Sequence, residues 1–330
     1  MASMPLNLVP LVGPFHRRFP RYNAITVREI TSACAPELVA TTALPPGALA
    51  EAAWRDADEP ALIEAIHWAV RVGVPVEPVG EPSPDPSAMR DTERYLREST
   101  GAHPALQAID GAAEPVVQLL RSALDLSRVQ TELAPAVAKL HAARIHWFGD
   151  GPGTDWLEAR ARRMAERLRP LAQRRTVVLV PVDQLPALEP HLEGLQGQLP
   201  DVPPSDAARR RALLDTALSG DADDTAALLA ALRDLGEPEA RLAEAEVLLG
   251  HGHAAEALEV LAEAARGDFV EPPYLPGWLL ARLGQLYDLA GRRDEAKRCY
   301  RGVLALSWAP PATREAARDG LERPFTVPAA

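Results

Sequence analysis

The sequence predicts an α/β domain with a mainly parallel sheet and flanking helices, followed by a short all-helical array. Three observations lead there. Strand-like and helical runs alternate over the first 195 residues, the order of a parallel sheet with crossover helices. Residues 176–182, TVVLVPV, form a continuous apolar run, as expected of a strand covered on both faces. Beyond residues 196–205, QGQLPDVPPS, strand signals stop and alanine- and leucine-rich helices take over. The expected organisation is an α/β domain at 1–195, a linker at 196–205, a helical array with a capping helix at 206–323, and a tail at 324–330.

In chain order, residues 6–12 are a short apolar run ending at Gly13-Pro14-Phe15-His16, a turn signal. Ile25, Val27, Ile30 and Ala33 follow at helical spacing. Residues 38–44 read as a second strand. Residues 59–72 read as an amphipathic helix with Pro60 in its first turn, closed by Gly73. Residues 74–79 are a third strand candidate. EPSPDPS at 81–87 is a proline-rich loop, with a short helix expected around Ala88 to Glu98. Helical patterns return at 114–125 and 128–147. Gly149-Asp150-Gly151-Pro152-Gly153 lacks the lysine of a phosphate loop and reads as a plain loop. An arginine-rich helix is expected at 155–171, and a last helix of the domain at 185–195.

Composition narrows the function classes. With 35 basic and 46 acidic residues the net charge is −11, which argues against a nucleic-acid partner, because phosphate binding needs clustered positive charge. The charge is uneven. Residues 221–270 carry twelve acids and three arginines, whereas 160–175 carry seven arginines and one glutamate. Such runs are solvated helix faces, or else an intrachain contact or an anion-binding surface. Two cysteines, Cys34 and Cys299, imply no disulfide framework. No apolar run has the length of a membrane helix, and the first residues read as no signal peptide, so the expected compartment is cytoplasmic.

In the second part, Gly220, Gly252 and Gly291 mark turns 32 and 39 residues apart, the longer step holding an insertion with Pro272, Pro273 and Pro276. WLLARLGQLYDLAGRRDEAKRCY, at 278–300, has apolar residues on one face of each of two helices around a Gly291 turn, with small Gly284 and Ala296 where the helices approach. It resembles the tetratricopeptide repeat, a helix–turn–helix unit of about 34 residues. The pattern is fair around Gly252 and poor around Gly220, and 311–322 resembles a capping helix. The resemblance implies protein or peptide binding on a concave face lined by first helices, with Arg210, Leu214, Glu246, Leu249, Ala281, Gln285 and Asp288 facing inward. Three repeats are near the minimum for stability, so packing on the first domain or self-association is also expected.

A second resemblance covers 1–195. Gly13-Pro14-Phe15-His16 follows the first strand, Arg160-Ala161-Arg162-Arg163-Met164-Ala165 lies on a helix, and residues 177–182 lead into Asp183-Gln184-Leu185-Pro186. This order is similar to that of the TraB/Tiki-like group, some members of which are thought to be metal-dependent peptidases. The group carries a Glu at the end of the second strand and a second Gly-x-x-His. This chain has Thr41-Thr42 and Asp183-Gln184 there. The resemblance implies the fold with a depleted reactive centre, a pseudoenzyme. A divalent metal needs several ligands and an open position for water, and His16 alone does not supply them.

The expected function is therefore protein binding or scaffolding, with no cofactor. Two alternatives remain open. One is a hydrolase using a divalent metal, with His16, Arg160 and Asp183 at the sheet's carboxyl edge and Glu81 nearby. The other is an α/β domain that binds a small molecule without turnover. No Gly-x-Ser-x-Gly nucleophile elbow is present. His141 with His146, and His251 with His253, lack metal-pair spacing or a third ligand.

Overall fold

The computed structural model describes residues 4–82, 94, 98, 103–148, 155–220, 224–267 and 269–326. Most of the proline-rich loop, the expected 88–98 helix and the 149–153 loop lie outside the described residues. The chain forms two compact units, Met1–Ala212 and Leu213–Ala330.

The first unit is an α/β domain. Its four strands, β1 (Leu6–Leu11), β2 (Leu38–Thr41), β3 (Val76–Pro78) and β4 (Thr176–Pro181), are all parallel in the order β1-β4-β2-β3. The last strand in sequence therefore lies inside the sheet, between β1 and β2. That position explains its unbroken apolar run. Val177 and Leu179 join one core, with Val27, Ile30, Leu62 and Ile66. Val178 and Val180 join the other, with Met164, Ala165 and Leu168. The expected 38–44 strand stops at Thr41, whose hydroxyl donates to Leu179 O (3.1 Å) and accepts from Ala43 N (3.1 Å), turning the chain out of the ladder.

The main helices described in this unit are α1 (Ala24–Ala33), α2 (Pro60–Val72), α3 (His103–Arg121), α4 (Ala134–Phe148, entered directly from helical turns at Leu126–Arg128 and Val129–Leu133), α5 (Asp155–Leu168), α6 (Leu185–Leu188) and the start of α7 (Asp206–Ser219). Asn23 caps α1, accepting from Thr26 N (3.1 Å), and its amide donates to Ala208 O (2.8 Å) on α7. The periodicity at 114–125 belongs to a longer helix, α3. The helix expected at 185–195 is α6 followed by a 3₁₀ turn, Glu189–Leu192, because Pro190 cannot continue an α-helical ladder. Residues 196 and 197 run beside the start of β1, where Gly197 N donates to Leu6 O (2.9 Å).

The second unit is all helical. It contains the end of α7, then α8 (Thr225–Leu235), α9 (Pro238–Gly250), α10 (Ala254–Ala264), α11 (Leu275–Leu289), α12 (Arg293–Ala305) and α13 (Pro311–Glu322). α9 pairs with α10 and α11 with α12, and α13 packs on both members of the last pair. Gly252 and Gly291 turn the two pairs at φ of 83° and 71°, a conformation that favours glycine. Tyr300 is fully buried between Gly284 of α11 and Gly320 of α13. A Cβ on Gly284 would come 2.6 Å from the Tyr300 ring, so the small residue is required by close approach.

Gly284→Ala and Gly320→Ala should each destabilise the second unit by about 1–3 kcal/mol through overpacking against Tyr300. Gly302→Ala, which meets only a Leu280 methyl, should change stability by less. Urea denaturation of the three variants checks the order.

Candidate functional site

In open parallel sheets, ligands bind outside the carboxyl ends of the strands. Here His16, Glu81 and Asp183 follow β1, β3 and β4 at that edge, with Glu59 and Arg160 hydrogen-bonded to the segments there. At the end of β1, Gly13 adopts φ 64° and opens a 3₁₀ turn, Gly13–Arg18, that directs His16 inward. Val12 N–H donates to His16 Nε2 (3.1 Å), so that nitrogen is the acceptor. Nδ1 then carries the proton and donates to Tyr22 O (2.6 Å). Burial lowers the His16 pKa to about 4, opposed in part by the Tyr22 carbonyl. The ring is neutral with both nitrogens engaged by backbone. Neither nitrogen thus offers a free lone pair to the metal that the hydrolase alternative would place beside it.

Its neighbour Glu59 carries no signal in the sequence beyond preceding the helix-opening Pro60. Glu59 Oε2 accepts from Gly13 N (2.7 Å), while Oε1 lies 3.5 Å from His16 Nε2 and makes no hydrogen bond. Burial raises the Glu59 pKa to about 7, against the N–H groups of Gly13 and Ala61. The two shifts oppose each other. A neutral buried His16 favours the native state at high pH, and that contribution is lost as pH falls from 6.5 to about 4. A protonated Glu59 favours it at low pH, and that contribution is lost as pH rises from 4.5 to about 7. Between these limits folding moves one proton from His16 to Glu59 with little net uptake.

Glu59→Gln keeps an acceptor for Gly13 but removes the titration. The stability of the wild type relative to this variant should fall as pH rises from 4.5 to 7, with a slope of up to about 1.4 kcal/mol per pH unit. Urea midpoints across that range test this, and a pH-independent difference would contradict it.

The ends of β2, β3 and β4 form a second cluster. Thr41 and Thr42 are fully buried. Arg160 Nη2 donates to Glu81 O (2.9 Å), Arg163 Nε to Glu81 Oε2 (2.9 Å), and Arg167 Nη1 to the carbonyls of Val79 and Gly80 (3.2 and 3.1 Å). Three arginines on one face of α5 thus clamp the turn after β3. Burial acts to raise the Glu81 pKa, but the Arg163 hydrogen bond and the charges of Arg167 and Arg163 outweigh it and hold the carboxyl below its usual range. Arg160 is lowered by burial, with Asp183 and Glu81 pulling the other way. The structure therefore brings Arg160 and the exposed Asp183 into electrostatic reach. The described contacts of His16 are to Val12, Tyr22 and Glu59 instead.

In the helical unit the expected binding residues are largely engaged within the fold. The Asp288 side chain has no exposed surface. It accepts from Arg293 Nη1 (2.9 Å), Tyr300 OH (2.8 Å) and Phe325 N (2.9 Å), which corrects its expected role on a binding face. Leu214 and Ala281 are also core residues rather than inward-facing surface. Arg282 donates to both oxygens of Glu246 (2.5 and 2.7 Å) and to Gln285 Oε1 (2.7 Å). Glu246 and Gln285 remain half-buried, and Arg210 is exposed on α7, in the first unit. Elsewhere in the helical unit, a groove of 540 Å³ runs along α10 beside the turn from α11 to α12.

Among the described residues, no group of three His, Cys, Asp or Glu could hold a metal ion, and no helix is long and apolar enough to cross a membrane. Cys34 is the C-cap of α1 and packs, half-buried, against the core on that side of the sheet. Burial pushes the Cys299 thiol up to about 11. No protein-family model, curated protein or solved structure matches this chain.

Asp288→Ala should cost the second unit about 3 kcal/mol or more, because it leaves buried donors unpaired. Denaturation followed by circular dichroism measures this, and an unchanged midpoint would remove Asp288 from the scaffold.

Proposed function

We propose that this chain is a protein-binding protein. Its helical unit acts as a tetratricopeptide-like array, and its α/β domain, similar in motif order to the TraB/Tiki-like group, has no working metal centre. The observation that carries the reading is the ordered stacking of helix pairs under α13. Arg282 of one pair is bound through both carboxylate oxygens to Glu246 of the pair before it. Stacked pairs of this kind repeat equivalent positions along a surface and suit an extended partner segment. The hydrolase reading loses support at His16, whose ring nitrogens are both occupied. It loses support again at Thr41 and Thr42, which stand where the resemblance calls for a carboxylate. The net charge of −11 favours a protein or peptide partner over nucleic acid.

Peptides enriched from a random library on the full chain, then photo-crosslinked to it, should label residues within 225–322. Labelling confined to 4–212 would overturn the reading. Elemental analysis of chain purified with zinc, manganese or cobalt should find no stoichiometric ion. One tightly held ion per chain would restore the hydrolase.

A further inference from the structure

The chain leaves β4 toward a different face of the sheet from its neighbours. After β1 and β2 it passes to the core shared with α1 and α2, where Phe19 and Leu44 are buried. After β4 it passes to the core shared with α5, where Leu185 and Leu188 are buried. Adjacent strands whose connections part in this way open a crevice at their carboxyl ends, the usual seat of a ligand in a parallel sheet. The crevice between β2 and β4 is bordered by Thr42, the turn at 79–81, Arg160, Asp183 and Gln184. Thr42 N donates to Leu179 O (3.1 Å), and Gly80 packs on the Thr42 carbonyl. Arg160 Nη2 holds Glu81 O (2.9 Å), and Asp183 lies within electrostatic reach of Arg160.

Three hydrogen-bonding atoms around this crevice are buried without a partner: Thr42 Oγ1, Arg160 Nε and Gln184 Oε1. Thr42 has no exposed surface. Groups left in this state cost free energy. Arg160 and Gln184 are half-buried and Asp183 is exposed, which gives the cluster a side open to solvent. The charges are opposite and unjoined. Arg160 lies 5.1 Å over the Trp156 ring, and Asp183 makes no hydrogen bond or ion pair among the described residues. The neighbouring charges are already matched, because Arg163 and Arg167 both bind the Glu81 carboxylate.

We infer that this crevice binds a free α-amino acid as its zwitterion. The α-carboxylate accepts from Arg160 Nε–H and the Thr42 hydroxyl, and the α-ammonium donates to the Asp183 carboxylate and Gln184 Oε1. The long side chains of Arg160 and Gln184 turn to meet it. Both charges of the ligand sit on one carbon, as the adjoining cation and anion require. A metal cation would meet the Arg160 charge, and a plain anion would leave Asp183 and Gln184 Oε1 unmet. The site belongs to the first unit and goes beyond the protein-binding reading of the helical one.

Each common L-amino acid, titrated into the full chain by isothermal calorimetry, is the probe. At least one should bind to saturation, while its deaminated acid and its decarboxylated amine bind about tenfold more weakly or worse. Asp183→Asn should weaken binding about tenfold with an unchanged thermal melt, because Asp183 is exposed. Thr42→Val puts a methyl in place of the hydroxyl. It should weaken binding to a similar degree while the ligand-free melt is unchanged or raised, since that hydroxyl has no partner in the fold. A lowered melt with full binding would make Thr42 a purely structural residue and overturn its place in the site. Binding by no amino acid, or binding that survives both substitutions, would overturn the inference. Equal affinity for an amino acid and its deaminated acid would reduce the crevice to an anion site and overturn the zwitterion.

Discussion

β4 lies between β1 and β2, hydrogen-bonded along both edges and covered on both faces, and the first unit is built outward from it. Alternate side chains of one strand feed two cores. Val177 and Leu179 share a core with α1 and α2 on one face, and Val178 and Val180 share one with α5 on the other. Because all four strands run parallel, the segments that follow them leave from the same carboxyl edge of the sheet. His16, Glu81 and Asp183 follow β1, β3 and β4 there, Glu59 is hydrogen-bonded to Gly13, and Arg160 to Glu81.

The groups gathered at that edge are mostly turned on one another. His16 is held by the backbone at Val12 and Tyr22, and Glu81 is held by arginines of α5. A buried polar group without a partner costs free energy, which favours such internal pairing. Thr42 Oγ1, Arg160 Nε, Gln184 Oε1 and Glu59 Oε1 are buried there without a hydrogen-bond partner. For Glu59, burial beside an already engaged imidazole is met by a raised pKa.

The helical unit uses a different device. Tyr300 fills the space between α11 and α13, and its hydroxyl meets Asp288, which also takes Arg293 and Phe325 N. One carboxylate therefore joins α11, α12 and the segment beyond α13. Leu214, Ala281 and Asp288, expected on an inward face, are buried in the packing of the helices instead.

The fold class was legible because periodicity reports burial. The short β-branched TVVLVP run fits a strand covered on both faces, and the apolar spacing around Gly252 and Gly291 fits paired helices. Small Gly284 and Ala296 were also legible as the points where two helices approach. The site was legible in part. The arginines of 160–167 stood out as a charge run, but only tertiary structure showed that Arg160, Arg163 and Arg167 are used on the turn at 79–81. His16 looked like a ligand because a Gly-x-x-His string says nothing about where the ring's lone pairs point. Glu59 was invisible because its raised pKa comes from burial among residues up to 46 positions away. Asp288 looked like surface because helical spacing does not reveal that Tyr300 and Phe325 close over it. Secondary structure and core follow from near-neighbour pattern. Whether a polar side chain is free depends on long-range contacts that no local pattern encodes.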